Sequence, residues 1–521
     1  MSNVADRDAQ AAWAYHNGTK HSYASVRSGR HTLDWDNRPL PFKIYRGLEA
    51  LPLPQDLAHS PLPALDALAR VVAAGGTPDV APVLPDLRTL ATLLYFAAGI
   101  TRRVRHPGGE MLFRAAACTG ALYHIELYVI CGDLPGLPAG VYHCGMHDFA
   151  LRRLRAGDFR GVIADATGAE PATARAPAII ACTSTFWRNA WKYRARTYRH
   201  CFWDCGTILA NLLAVAAAHG IPARVVVGFV DDMLNRLLGL DPDREVTLAL
   251  IPLGAAPDAN TPVPPVEKLV LETEPLSRHE VQYPAIRAVH AASSFSRPED
   301  ASAWRAAVEG QPDAPPPTAP AAARELIPLE PAADLPAESV ERVILRRGST
   351  RRFERRTITF AQLSTILDRG MRLISRDYGR PDAALTDAYV VVHAVDGLAP
   401  GAYAYHPHLR ALALLKAGDF RATAGYLALE QALAADAAAD VFFLADLHHI
   451  FAYLGGRGYR AAQLEGGILG GRLYLAAYAL RLGASGLTFY DDDVTAFFSP
   501  HAAGKSVMFL TALGRPQRRR S

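Results

Sequence analysis

An excess of charge of one sign is the first thing this sequence lacks: 55 basic and 51 acidic residues leave a formal net charge of +4. Such a balance gives no reason to expect nucleic acid or a membrane surface as a partner, and the one basic run, Arg518–Arg520, reads as a solvated terminus. Cysteine is also scarce. All six (Cys118, Cys131, Cys144, Cys182, Cys201, Cys205) fall in the first half with no Cys-x-x-Cys pair, so they read as reduced, buried thiols rather than a disulfide framework or a zinc site. His448-His449 and His406-Pro-His408 lack carboxylate or cysteine companions at ligand spacing, and no metal is expected. The N-terminal stretch carries charges instead of a secretory apolar core, and the apolar runs are interrupted or fall short of the roughly 20 residues that span a bilayer; the expected location is the cytoplasm.

What is present is apolar bulk and an internal repeat. Half the residues are hydrophobic and 20% charged, which supports a large core and excludes wholesale disorder. With 521 residues, roughly 100–200 per domain suggests two or three domains. Gly136–Arg160 aligns without a gap on Gly397–Arg421, with 13 identities in 25 positions at an offset of 261. The same offset carries Tyr128 onto Tyr389, Arg196-Thr-Tyr198-Arg199 onto Arg457-Gly-Tyr459-Arg460, Asp204 onto Glu465, Gly206 onto Gly467 and Asp231-Asp232 onto Asp492-Asp493. The chain is a tandem duplication: a first domain over 1–255, a Pro/Ala-rich linker over 256–338 and a second domain over 339–521.

Periodicity predicts helices over Leu87–Ala98 and Tyr198–His219, and strands over Glu126–Cys131, Ala178–Cys182, Arg224–Phe229 and Thr247–Leu253. The second copy repeats the order at Phe360–Arg369, Tyr389–Val395, Val441–Ala445, Ala461–Leu482 and Val507–Leu513. This is an α+β or mixed pattern. The helices beginning near Tyr198 and Ala461 are apolar nearly all round, so each is expected to be buried where the copies pack together.

Four segments could carry chemistry. Arg347-Gly-Ser349-Thr-Arg351 offers two cationic forks and a hydroxyl suited to one phosphate, although an exposed basic linker end has the same letters. Cys118-Thr119-Gly120 is a small-residue loop that permits close backbone approach to a planar or phosphorylated ligand, or an ordinary turn. Lys192-Tyr193 could supply a general base and a proton relay, or be a surface pair. Gly466-Gly467-Ile-Leu-Gly470-Gly471 lies inside the apolar helix instead of after a strand, which favours close helix packing over a phosphate loop.

In this order the segments resemble the FMN-dependent nitroreductase superfamily, and within it the SagB/ThcOx-type azoline dehydrogenases. Tyr15–Ser22, Leu33–Trp35, Leu51–Pro54, Leu93–Arg102 and Gly120–Tyr128 carry the resemblance together with the segments above. It implies two nitroreductase-like domains, each a mostly antiparallel sheet flanked by helices, joined as an intramolecular pseudo-dimer that needs no second chain. It further implies one FMN per chain, held by Arg347, Ser349 and Arg351 of the second copy and by Cys118, Thr119 and Gly120 of the first. Glu465, Gly466 and Gly467 are then expected near the isoalloxazine edge. Lys192 and Tyr193 correspond to the family's catalytic pair, and Arg196, Tyr198 and Arg199 to bracing residues. The motifs are divided: the first copy has Ala74, Gly76 and Pro78 where the second has its arginines and serine, and the second has Gly379-Arg380-Pro381 where the first has its loop. Departures include Ala117-Cys118 for a Pro-Ser pair, and Thr207 and Ile468 for a histidine. The implied activity is dehydrogenation of a peptide-borne azoline, with a peptide or small-molecule substrate and a cyclodehydratase complex as partner. NAD(P)H-dependent nitro or quinone reduction and a non-catalytic scaffold are the alternatives.

Overall fold

A computed structural model describes residues 2–29, 31–72, 82–106, 109–256, 263–309 and 326–517. Ala74, Gly76, Pro78, the proline run at 315–317 and the Arg518–Arg520 tail lie outside the described residues.

Both copies build the same sheet. In the first, strands run in the order Ala50–Pro52, Ala150–Ala156, Gly140–Gly145, Ile125–Cys131, Ala178–Thr185, Glu245–Leu253, every pair antiparallel. In the second, the order is Leu326–Pro328, Ala411–Ala417, Gly401–His406, Asp387–Val392, Ala439–Ala445, Ser506–Pro516, again antiparallel, with Phe353–Glu354 and Gly483–Gly486 pairing the last strand. The central strands are predominantly apolar on both faces because helices cover them, and Ile125–Cys131, Ala178–Thr185 and Ala439–Ala445 are buried along their whole lengths. Backbone detail repeats at the 261-residue offset. Phe149 and Arg410 both have positive φ, at 51° and 47°, and so do Arg194 and Gly455, at 55° each. The fold is two tandem α+β domains with antiparallel sheets.

Two long helices form the seam. Thr197–Ala218 and Leu447–Ala479 cross at Gly206 and Gly467, where a Cβ on Gly206 would stand 2.6 Å from the backbone of Leu464, Gly467 and Ile468. A Cβ on Gly467 would in turn stand 2.6 Å from the carbonyl oxygen of Trp203. These glycines serve helix packing, not a phosphate. The Phe186–Ala218 stretch is long and apolar enough to cross a membrane, but 94% of its apolar window is buried inside the fold, as in a core helix.

Three expectations change. Arg224–Phe229 makes only isolated bridges, and on both sides: Val226 pairs with Leu250 at the edge of the first sheet, Val225 pairs with Arg376, and Val227 and Gly228 donate to the Asp377 carboxylate, so this segment is a strap that ties the first sheet to the second domain instead of a regular strand. The described linker is docked, not loose. Its helices Pro284–Ala292 and Pro298–Glu309 enter the seam, where Trp304 donates to the Leu454 carbonyl and Arg460 to Ser293 and the His290 carbonyl. Leu326–Pro328 already belongs to the second sheet, before residue 339, and takes the edge position that Ala50–Pro52 holds in the first.

Candidate functional site

One cavity of about 1890 Å³ opens between the copies, and both contribute walls. From the first come the Cys118–Gly120 loop, Lys192, Tyr193 and Asp204; from the second come Arg347, Ser349, Arg351, Tyr474 and Phe509. At the position equivalent by the repeat, the space is about 30 Å³. Leu213 and Ala217 line the small space where the offset places the bulkier Tyr474 and Tyr478 in the large one, so side-chain size at these two positions does not account for the difference. Arg472, offset-equivalent to Asn211, spans the small space and donates to the carbonyls of Leu68, Arg369 and Gly370.

Asp204 organises the first-domain wall. It lies on the core helix, accepts the Thr119 amide and hydroxyl at 2.9 and 2.8 Å, and takes the Cys118 thiol at 3.1 Å and His124 Nε2 at 2.8 Å. His124 continues inward to Ser184 at 2.8 Å. Burial and the Asp204 carboxylate push the Cys118 thiol well above its usual range, so it is a protonated, non-nucleophilic group. Cys118, His124 and Asp204 bring ligand-type atoms within 4.8 Å of one another, an arrangement used here as a hydrogen-bonded lock on the loop.

The lock allows Gly120 to take φ +62°, and the Tyr193 hydroxyl lies 2.7 Å from where a Cβ on Gly120 would be. Tyr193 ends the short helix Phe186–Tyr193 because Arg194 turns to φ 55°, ψ −138°. That break leaves Lys192 exposed at the rim and Tyr193 half-buried, its ring edge-on to His200 at 4.6 Å. Burial, then Asp204 and Cys118, raises the Tyr193 pKa, keeping it a neutral hydroxyl. His200 lines the same wall, with Nδ1 2.9 Å from Asn189 Oδ1; burial and Arg196 keep it uncharged.

The second-domain wall follows the helix Val340–Arg346. Arg347 leaves that helix and donates through Nε and Nη2 to the carbonyls of Ala115 and Arg114, so it fastens the domains together across the cavity. The Ser349 hydroxyl is 3.3 Å from the Tyr474 hydroxyl. Arg351 is exposed and has no carboxylate partner among the described residues. An amphipathic planar ligand with an anionic end suits this set: aromatic rings at Tyr123, Tyr474 and Phe509, a backbone cradle at Thr119-Gly120, and a cation with Ser349 at the far side.

Glu465, Gly466 and Gly467 stand elsewhere. Glu465 is buried beneath the second sheet, accepting the Leu385 and Thr386 amides, with Arg376 3.5 Å away, and Gly466 backs onto Met508 and Phe509. None of the three lines the cavity, because the crossing at Gly467 turns that part of the helix into the seam. Of this pair the acid that does line it is the first-copy counterpart, Asp204, signalled in sequence by polar His200 and Asp204 one turn apart on a mostly apolar helix. His21 was also not anticipated; it enters from the N-terminal arm, and burial and Arg196 lower its pKa to about 3.

Arg196 and Arg199 brace the site from behind, and their partner is in the other copy. Asp491 accepts both, at 3.0 and 2.6 Å. Reciprocally, Asp231 accepts Arg457 and Arg460, the latter at 2.6 Å. The functional counterpart of Asp231 is therefore Asp491, one residue earlier than the constant offset places it.

Residues 85–255 and 344–514 each match the Nitroreductase family, together more than half of the chain. A crystal structure from Anabaena variabilis described as a nitroreductase superposes with a TM-score of 0.76 at 27% identity, covering 97% of this chain and 99% of that one. A Methanocaldococcus jannaschii protein described as a nitroreductase is 27% identical over 168 residues, 32% of this chain and 80% of the relative. The E. coli microcin synthetase McbBCD complex with truncated pro-MccB17 aligns over 46% of this chain and 81% of that one at 18% identity, with a TM-score of 0.29, a likeness too slight to bear on function.

Proposed function

The chain belongs to the nitroreductase family, and from that premise we propose that it is an FMN-dependent oxidoreductase with one active site per chain that dehydrogenates a peptide-borne azoline to an azole. The observation that carries this reading is the asymmetry of the two interdomain spaces, about 1890 Å³ where Lys192, Tyr193, the Cys118–Gly120 loop, Ser349 and Arg351 converge and about 30 Å³ at the equivalent position.

The residues fit FMN. Arg351 and Ser349 would hold its phosphate, and the Thr119-Gly120 backbone with Tyr474 would bound its ring system. Arg347 acts indirectly, fixing the position of Ser349 by fastening the Arg114–Ala115 backbone. Bound FMN supplies the hydride acceptor that turning an azoline into an azole requires. The proton that leaves the ring carbon is the chain's own task. Lys192, at the open rim, takes it at Nζ, and Tyr193, kept neutral, donates its hydroxyl hydrogen bond to the heteroatom that gains basicity. Asp204 holds the loop that packs beneath Tyr193.

Visible absorbance of the purified protein tests the cofactor: a flavin-to-chain ratio near one is expected, and a ratio near two, or colourless protein that FMN does not reconstitute, overturns the single-site reading. Lys192→Ala is expected to keep the flavin and to lose azoline turnover by about 10²-fold or more; unchanged turnover removes Lys192 from the chemistry. The second reading is NAD(P)H-dependent reduction of a nitro compound or quinone, favoured by the description of the relatives as nitroreductases. Flavin bleaching by NAD(P)H under anaerobic conditions, with no azoline oxidation in air, would select it.

A further inference from the structure

The open cavity has a feature that its collapsed counterpart lacks. From the end of the helix Leu87–Ala98 to Tyr128 is 30 positions, whereas from the end of its counterpart Phe360–Gly370 to Tyr389 is 19. The extra length falls in an antiparallel hairpin, Ile100–His106 paired with Gly109–Arg114. The hairpin joins no other sheet among the described residues; its base is tied down, with Tyr95 on the Ile100 carbonyl and Tyr123 and Arg347 on the Arg114 backbone, and beyond the base its edges face no other strand. Alternation along the strands puts Arg102, Val104, Met111 and Phe113 on the cavity wall and Arg103 and Arg105 on the other face, beside Glu110. Met111 is 46% exposed, an apolar group left without cover.

Two further observations concern charge and space. Arg102 lies over the Phe113 ring, and neither it nor Arg352 on the opposite domain has a carboxylate partner among the described residues, although both line the cavity. The carboxylates on the wall are engaged already: Asp204 with Thr119 and His124, Glu354 with Arg356. Pockets for one drug-sized ligand run to roughly 300–1,000 Å³. The 1890 Å³ here exceeds that, and a further groove of about 520 Å³ continues from it past Arg351, Arg352 and Gln431.

We propose that the hairpin and Arg352 form a docking surface for an extended acidic peptide segment, which lies across the cavity mouth with carboxylates on Arg102 and Arg352 and an apolar side chain against Val104 and Met111. This rests on the reading above in taking the cavity as the working site and Arg351 as serving the cofactor phosphate; it names the class of substrate that the remaining cations select. The preference for a peptide over another anion follows from the free hairpin edge, which pairs with an extended backbone. Charge supplies the selection.

The test is fluorescence anisotropy of the full chain, as purified, with labelled ten-residue peptides that alternate serine or valine with glutamate, glutamine or lysine. The glutamate peptide is expected to bind about tenfold or more tightly than the glutamine one, and to weaken as salt rises. Arg102→Glu, Arg102→Gln and Arg352→Glu are each expected to weaken it severalfold with flavin content unchanged, whereas Arg103→Glu, on the hairpin's other face, leaves it as it was. Equal binding of all three peptides overturns the proposal, as does indifference to Arg102→Glu. Binding of NADPH that Arg102→Glu abolishes, in the absence of peptide binding, would assign the cations to a dinucleotide. Because anisotropy reads no turnover and flavin is measured separately, a colourless protein that still selects the acidic peptide would sink the cofactor assignment and leave the docking surface standing.

Discussion

Asp231 and Asp491 are exchanged across the pseudo-twofold seam: each stands at the first turn of a helix in its own domain and neutralises the arginine pair of the other. Burial alone would raise both carboxyls. The facing guanidiniums outweigh it and hold both well below the usual range, and at Asp491 the His21 amide contributes as well.

Removing one side of such a pair leaves buried charge without a partner. Asp231→Ala is expected to cost about 3–5 kcal/mol, because Arg457 and Arg460 would then lie uncompensated in the seam. Urea unfolding of the purified protein measures it; a loss under about 1 kcal/mol, the range of surface pairs, contradicts this assignment.

The crossing of the core helices sets a steric limit. Gly467→Val should abolish soluble folded protein, since even a Cβ there stands 2.6–2.8 Å from the backbone of Trp203. Gly348→Ala serves as a control, since the nearest atom to its new Cβ is the Tyr478 hydroxyl at 3.9 Å. Expression yield and thermal melting compare the two.

At the cavity, Gly120→Ala adds a methyl 2.7 Å from the Tyr193 hydroxyl on a backbone with φ +62°. A stability loss of about 1 kcal/mol is expected from the backbone alone, with a larger proportional loss of turnover as Tyr193 is pushed aside. Thermal melting and steady-state rates on one preparation separate the two effects, and turnover that survives intact would show that the position of Tyr193 is unimportant.

The strap between domains carries a pH dependence. Burial raises Asp377 to about 6 despite the amides of Val227 and Gly228, so the folded protein holds a proton there that the unfolded chain, with an ordinary value near 3.8, has released. Asp377 therefore contributes its stabilisation at low pH and loses it as pH rises from about 4 to 6, by up to roughly 3 kcal/mol. The depressed Asp231 and Asp491 act the other way, losing stability as pH falls below about 4. The melting temperature of the protein minus that of Asp377→Asn should decline between pH 4 and 6; a flat difference would show that Asp377 does not titrate there.

Much of this architecture was legible in the letters because duplication preserves spacing. The 261-residue offset locates matching strands, the two buried helices and the Gly206–Gly467 contact. It fails where one copy gains or loses residues, as at the Ile100–Arg114 hairpin and at Asp491. Glu465 shows a different limit. It and Asp204 occupy one position of the repeat, and only the way the helices cross decides which acid meets the cavity and which is sealed beneath a sheet. The Arg224–Phe229 strap differs from a strand for a related reason: its β-like composition serves one isolated bridge to the first sheet and hydrogen bonds to the other domain, with no continuous ladder to either.

The seam joins walls that a homodimer would have to draw from two molecules. Here Lys192 and Arg351 belong to one chain, and docked helices within the connection occupy the junction. Dilution therefore cannot part the two halves of the cavity, and opening it is a first-order event whose equilibrium is independent of protein concentration. Fusion also freed the two interdomain sites from having to be identical, so Arg472 could close one by bonding the carbonyls of Leu68, Arg369 and Gly370 while the other stayed open.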